Sequence, residues 1–137
     1  MIKNHVKGLT IFLVTNLFAF LVHTTIETNF ITAGIVKVVN LPLSYLLNAL
    51  ASLFVCVSIY FLHKKYENNI GFIFLGLSFV KMLFLFLVLN PKNTIGEVSN
   101  YDAVAVFCPF LINLVMEQIF VVKILKISDL LGQTKKE

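Results

Sequence analysis

Long apolar runs alternate with short polar breaks along the chain, and this alternation predicts its architecture. LTIFLVTNLFAFLVHTTI extends from Leu9 to about Ile26, and LPLSYLLNALASLFVCVSIYFL begins at Leu41 and ends before His63. GFIFLGLSFVKMLFLFLVLN covers Gly71 to Asn90, and AVAVFCPFLINLVMEQIFVV covers Ala103 to Val122. Each run is roughly 20 residues, which at about 1.5 Å per residue matches the ~30 Å hydrocarbon core of a bilayer. The expectation is an all-α, four-transmembrane-helix bundle in one domain, with helices at about residues 8–27, 41–63, 70–90 and 103–123.

The breaks fit the same reading. ETNFITAGIVKVVN, from Glu27 to Asn40, is too polar to span and too rich in β-branched residues for a long helix. It reads as a loop with a short segment resting on the membrane interface. Pro42 suits the first turn of a helix, where its missing N–H is harmless. Lys64 to Asn69 forms a tight polar turn, and PKNTIGEVSNYD after Asn90 reads as a loop. Pro109 lies inside the fourth run, where neighbouring helices can satisfy the backbone it disturbs. Beyond Val122, KILKISDLLGQTKKE places Ile124, Ile127, Leu130 and Leu131 near one face, giving a short amphipathic C-terminal extension before a frayed tail from Thr134. The basic start and first apolar run resemble a signal peptide. The run exceeds the ~7–15 residues of such a segment and no small-x-small cleavage site follows, so it reads as an uncleaved first helix.

Composition narrows the class. Of 137 residues, 58% are hydrophobic and the mean hydropathy is +0.91, outside the range of soluble domains. The net charge of +4 comes from 11 lysines and no arginine. These lysines punctuate the runs rather than forming a patch, which argues against nucleic acid as a partner. Lys3, Lys7, Lys64, Lys65, Lys123, Lys126, Lys135 and Lys136 fall on one side, against Lys37 and Lys92 on the other. The positive-inside rule then puts both termini in the cytoplasm, N-in and C-in. Tyr45, Tyr60, Tyr66 and Tyr101 near run ends suit an aromatic belt. Cys56 and Cys108 lie within apolar runs without metal or redox spacing and read as small buried hydrophobes. There is no nucleophile elbow, Gly-rich phosphate loop or His/Cys metal motif, so the reading is non-enzymatic, with no cofactor or metal.

The informative residues are the polar ones inside the runs. Counted from the cytoplasmic end, Lys81 lies at about 16 Å, Ser52 at about 16 Å, Asn113 at about 15 Å, Asn16 at about 12 Å and Glu117 at about 9 Å. They form one expected intramembrane polar layer. His23 and Asn48, at about 22 Å, form a second layer, close enough in depth to pair, and His23 near its helix end reads as a hydrogen-bonded interfacial histidine. Side chains lean toward the N-terminus of their helix, so Lys81 and Glu117, on oppositely directed helices, lean toward each other. Asn113 and Glu117 are four residues apart and share a face. A charge at mid-membrane costs about 2.5–3.5 kcal/mol or more. Lys81 therefore has either a structural partner in Glu117 or a role in an ion path, a proton relay or a contact with another subunit.

GFIFLGLSFVKMLFLF (Gly71 to Phe86) and PFLINLVMEQIFVVKIL (Pro109 to Leu125) resemble an uncharacterised family of short four-helix bacterial inner-membrane proteins. That family carries a lysine in helix three and a glutamate in helix four, here Lys81 and Glu117. It is similar in size and layout to ATP synthase protein I, the accessory protein associated with c-ring assembly and magnesium; flippase-like proteins for lipid-linked sugars share the layout too. The resemblance implies an accessory or assembly role in the bacterial inner membrane, with a membrane-protein partner or a homo-oligomer. The alternative is a small oligomeric transporter or ion pathway through the Lys81 and Glu117 layer.

Overall fold

In the structure, a computed structural model, residues 2–30, 37–92 and 95–134 are described, with side chains over 7–29, 37–92 and 95–126. Helices α1 (Ile2–Phe30), α2 (Leu41–Leu62), α3 (Ile70–Leu89) and α4 (Asn100–Thr134) are joined by short connections, one containing a 3-10 turn at Glu67–Asn69. All four are long and apolar enough to cross a membrane, making this a multi-pass protein in contact with lipid. Apart from a single bridge between Lys92 and Val98, no β-structure occurs among the described residues.

The ends of the helices follow from local chemistry. Asn40 caps α2 by accepting from the Leu43 amide at 3.3 Å, and Pro42 occupies the first turn. Asn90 ends α3 in the left-handed region (φ 41°), with Pro91 directly behind it. Ser99 and Asp102 form a reciprocal cap at the start of α4. The Ser99 Oγ accepts from the Asp102 amide at 3.1 Å and donates to Asp102 Oδ2 at 2.7 Å. The other carboxylate oxygen of Asp102 accepts from the amides of Val38 (3.0 Å) and Val39 (2.9 Å), strapping the α1–α2 connection onto α4. This cap moves the start of α4 to Asn100, ahead of the expected residue 103.

α1 is also longer than expected at both ends, taking in residues 2–7 and 28–30; residues 31–36 of the expected interfacial segment lie outside the described residues. The C-terminal extension is an unbroken continuation of α4 to Thr134. Side chains on its expected apolar face beyond Lys126, and residues 135–137 of the expected tail, lie outside the described residues.

Contacts fix the packing directions. Asn16 meets Asn113 and Glu27 meets Tyr101, so α1 and α4 are antiparallel. Ser44 meets Ala105, and Val55 and Ile59 share a cluster with Val121, so α2 and α4 are parallel. α2 and α4 share the broadest contact and α1 packs most lightly. One apolar cluster (Val39, Leu41, Tyr45, Leu85, Leu89, Ala105, Val106 and Phe110) fills the end near Asp102. A second (Val55, Ile59, Ile70, Phe74 and Val121) fills the other end. Phe18, Phe54, Phe61, Phe72 and Phe79 are exposed and face lipid, whereas Tyr45 is buried between helices and does not join an aromatic belt.

Pro109 shows how the α2–α4 seam holds together. A proline inside a helix cannot donate to the carbonyl four residues back, here Ala105. The Ser44 Oγ donates to that carbonyl at 2.6 Å, and Ser44, Ala105 and Pro109 are all fully buried. Ser44→Ala should therefore destabilise the bundle by about 1–3 kcal/mol, the penalty of a buried unsatisfied acceptor. In a Pro109→Ala background the loss should shrink, because the substituted alanine restores the helical donor. Reversible unfolding of the four proteins of this double-mutant cycle in bicelles measures the coupling.

Candidate functional site

Lys81 stands at the middle of α3, on the buried stripe Ile70, Phe74, Ser78, Lys81, Leu85 and Leu89. The stripe recurs every three or four residues, so the face that packs the apolar clusters necessarily carries the lysine inward. Its ammonium donates to Glu117 Oε1 on α4 at 2.5 Å and to Ser52 Oγ on α2 at 2.8 Å. It also lies 5.0 Å from the centroid of the Phe110 ring. Lys81 is 4% exposed and Glu117 1%, so the pair is removed from both water and lipid. The lysine holds α2, α3 and α4 together at one level.

Asn113 lies one turn before Glu117 on the same face of α4. Its amide nitrogen donates to Asn16 Oδ1 on α1 at 2.9 Å and to the Pro109 carbonyl at 2.8 Å. Asn16 in turn donates to the Phe12 carbonyl at 3.0 Å. The five residues of the expected central layer thus fall into two hydrogen-bonded groups, Lys81 with Glu117 and Ser52, and Asn113 with Asn16, on adjacent turns of α4. Together they touch all four helices.

His23 is a hydrogen-bonded histidine, but its partner is not Asn48. His23 Nδ1 is 3.1 Å from the Tyr45 hydroxyl, and Asn48 donates to the Ser44 carbonyl of its own helix at 2.9 Å. The reason is reach: Tyr45 lies nearly one turn nearer the helix end, and its long phenol crosses to α1, where it also contacts the Ala19 carbonyl and stacks edge-on with Phe20. Near the same end of the bundle Glu27 accepts from Lys37 and from the Tyr101 hydroxyl, and Lys37 lies 5.1 Å from the centre of the Tyr101 ring.

Sequence reasoning missed Ser44, Tyr45, Phe110 and Asp102. The Ser99-x-x-Asp102 spacing before an apolar run was a readable capping signal. Ser44 lies on the inward seam but reads as an ordinary small helix residue until its partner, the carbonyl freed by Pro109, is known. Phe110 and Tyr45 carry no sequence mark that separates them from lipid-facing aromatics. Comparison of the chain with protein-family models, curated proteins and solved structures finds no match.

Removing one partner of a buried pair strands the other charge. Lys81→Met should therefore destabilise by about 3–5 kcal/mol, and Lys81→Met with Glu117→Gln should recover most of that loss. Unfolding midpoints in mild detergent give the comparison. Equal losses in the single and double variants would show that the charges do not compensate one another.

Proposed function

We propose that this chain is a non-enzymatic accessory or assembly protein of the bacterial inner membrane, spanning it four times with both termini in the cytoplasm. The observation that carries the reading is the self-sufficiency of Lys81. Its charge is consumed by Glu117, Ser52 and Phe110 within the chain, so it is not held out toward a partner's carboxylate. Val55, Ile59, Leu85, Pro109 and Asn113 are fully buried between the helices. A protein built this way acts through its outer surface, which offers lipid and neighbouring membrane helices an apolar face. The lysine distribution supports the orientation. The resemblance of the third and fourth helices to short four-helix inner-membrane proteins makes a rotary ATP synthase the first partner to test.

A second reading, a small oligomeric transporter or ion pathway, is favoured by one observation. Asn113 Oδ1 and Glu117 Oε2 are buried acceptors with no donor. Four helices enclose little volume, so this role requires an oligomer or a partner.

Affinity capture of the native protein from membranes, with deletion of its gene, separates the two. The accessory reading predicts a co-purifying membrane complex and a defect in its assembly. An isolated protein, an unaffected ATP synthase and ion flux in proteoliposomes that Glu117→Gln abolishes would replace it with the second reading. Cytoplasmic fluorescence from reporters fused to each terminus checks the orientation.

A further inference from the structure

The side of α4 turned away from the ion pair carries an open hollow of about 450 Å³, lined by Val115, Gln118, Ile119, Val122, Lys123 and Lys126. All six side chains are exposed, whereas Asn113 and Glu117 are buried on the opposite side of the helix. Helical spacing sets Val115, Val122 and Lys126 on one line, with Gln118 on one flank and Lys123 on the other. From Val115 to Lys126 the line is about 16 Å long, roughly one leaflet of the ~30 Å hydrocarbon core. The apolar floor therefore lies in the membrane, and the lysines stand where the fourth span ends.

The polar members of the hollow are not satisfied by the described part of the chain. Asn16, Asn48 and Asn113, the other amides deep in the spans, are buried between helices and donate within the chain. Gln118 faces outward and has no hydrogen-bond partner among the described residues. Its side chain leans toward the N-terminus of α4, deeper into the membrane and away from water. An amide held there needs a partner that the lipid side must bring. Lys123 and Lys126 have no carboxylate partner among the described residues, and their stems lean back over the hollow.

The wider field has the same sign. Among the described side chains, this end of the bundle carries Lys7, Lys64, Lys65, Lys123 and Lys126 against Glu67. The other end carries Lys37 and Lys92 against Glu27, Glu97 and Asp102. An anion is thus drawn to the end that holds the hollow. A second copy of the chain seated there face to face would set Lys126 against Lys126. Phosphatidylcholine would bring a cation of its own.

We propose that the hollow is a binding site for one anionic phospholipid. An acyl chain lies along Val115, Ile119 and Val122, the phosphate accepts from Lys123 and Lys126, and a glycerol-ester carbonyl accepts from the Gln118 amide. This goes beyond the accessory and transport readings, depends on neither, and holds in whichever leaflet this end of the bundle lies.

Native mass spectrometry of the full chain, released from detergent micelles after addition of phosphatidylglycerol or phosphatidylcholine, tests it. The wild-type monomer should retain one phosphatidylglycerol and bind phosphatidylcholine on the order of tenfold more weakly. Lys123→Gln with Lys126→Gln should bring phosphatidylglycerol down to the phosphatidylcholine level and leave phosphatidylcholine unchanged. Gln118→Leu should weaken both lipids about fivefold, because the ester is common to them. Lys64→Gln with Lys65→Gln, at the same end but outside the hollow, should alter neither. The substituted side chains are all exposed, and unchanged helix content by circular dichroism accompanies each comparison. Equal retention of the two lipids by the wild type, an equal loss in the Lys64 and Lys65 variant, or no effect of Gln118→Leu would each overturn the proposal. A lipid-free dimer that Gln118→Leu dissociates would overturn it in favour of a second copy in the hollow.

Discussion

A lysine in the middle of an apolar helix admits few solutions, and the rest of this bundle is arranged around the one adopted here. The charge cannot face lipid and cannot reach an interface from the centre of α3. It must be enclosed, and enclosing it requires an anion, a hydrogen-bond acceptor and close packing at one level. Glu117, Ser52 and Phe110 supply these from two other helices. The interaction therefore fixes the register of α3 against both α2 and α4. Because helix association in lipid gains nothing from the hydrophobic effect, such a polar contact has unusual weight in choosing which faces meet.

The neighbouring turns extend that choice. Pro109 frees the Ala105 carbonyl, and Ser44 on α2 donates to it. Asn113 fills the next turn and recruits α1 through Asn16. At the end of the bundle, Asp102 secures the α1–α2 connection to the start of α4. These contacts succeed one another along a single face of α4, which thereby acts as the spine to which the other helices are keyed. Toward the opposite end the same face turns apolar, and ordinary side-chain packing takes over.

Much of this was legible in the sequence. The four helices were readable because hydropathy and bilayer thickness constrain length directly. The approach of Lys81 to Glu117 was readable because depth counting and side-chain lean depend only on helix geometry. Helix boundaries were less so: the reciprocal Ser99 and Asp102 cap lengthens α4 into a segment that composition marks as loop. That His23 is hydrogen-bonded was readable, but its partner was not, because equal depth does not imply contact. Rotation about each helix axis decides that, and Tyr45 was turned inward where a belt position was expected. Ser44 was invisible for a related reason, since its partner is a backbone group exposed by a proline on another helix.

The ion pair of Lys81 and Glu117 within one chain, on which everything else here depends, is tested most directly by solid-state NMR dipolar recoupling between lysine 15Nζ and glutamate 13Cδ in lipid. The wild-type chain, diluted into unlabelled protein to remove contacts between copies, should show one strongly dephased, membrane-buried ammonium signal. That signal should disappear in Lys81→Met and lose its coupling in Glu117→Ala. A buried lysine resonance without short-range coupling to a glutamate carboxyl, or a coupling that vanishes on dilution, would contradict an ion pair closed within the chain.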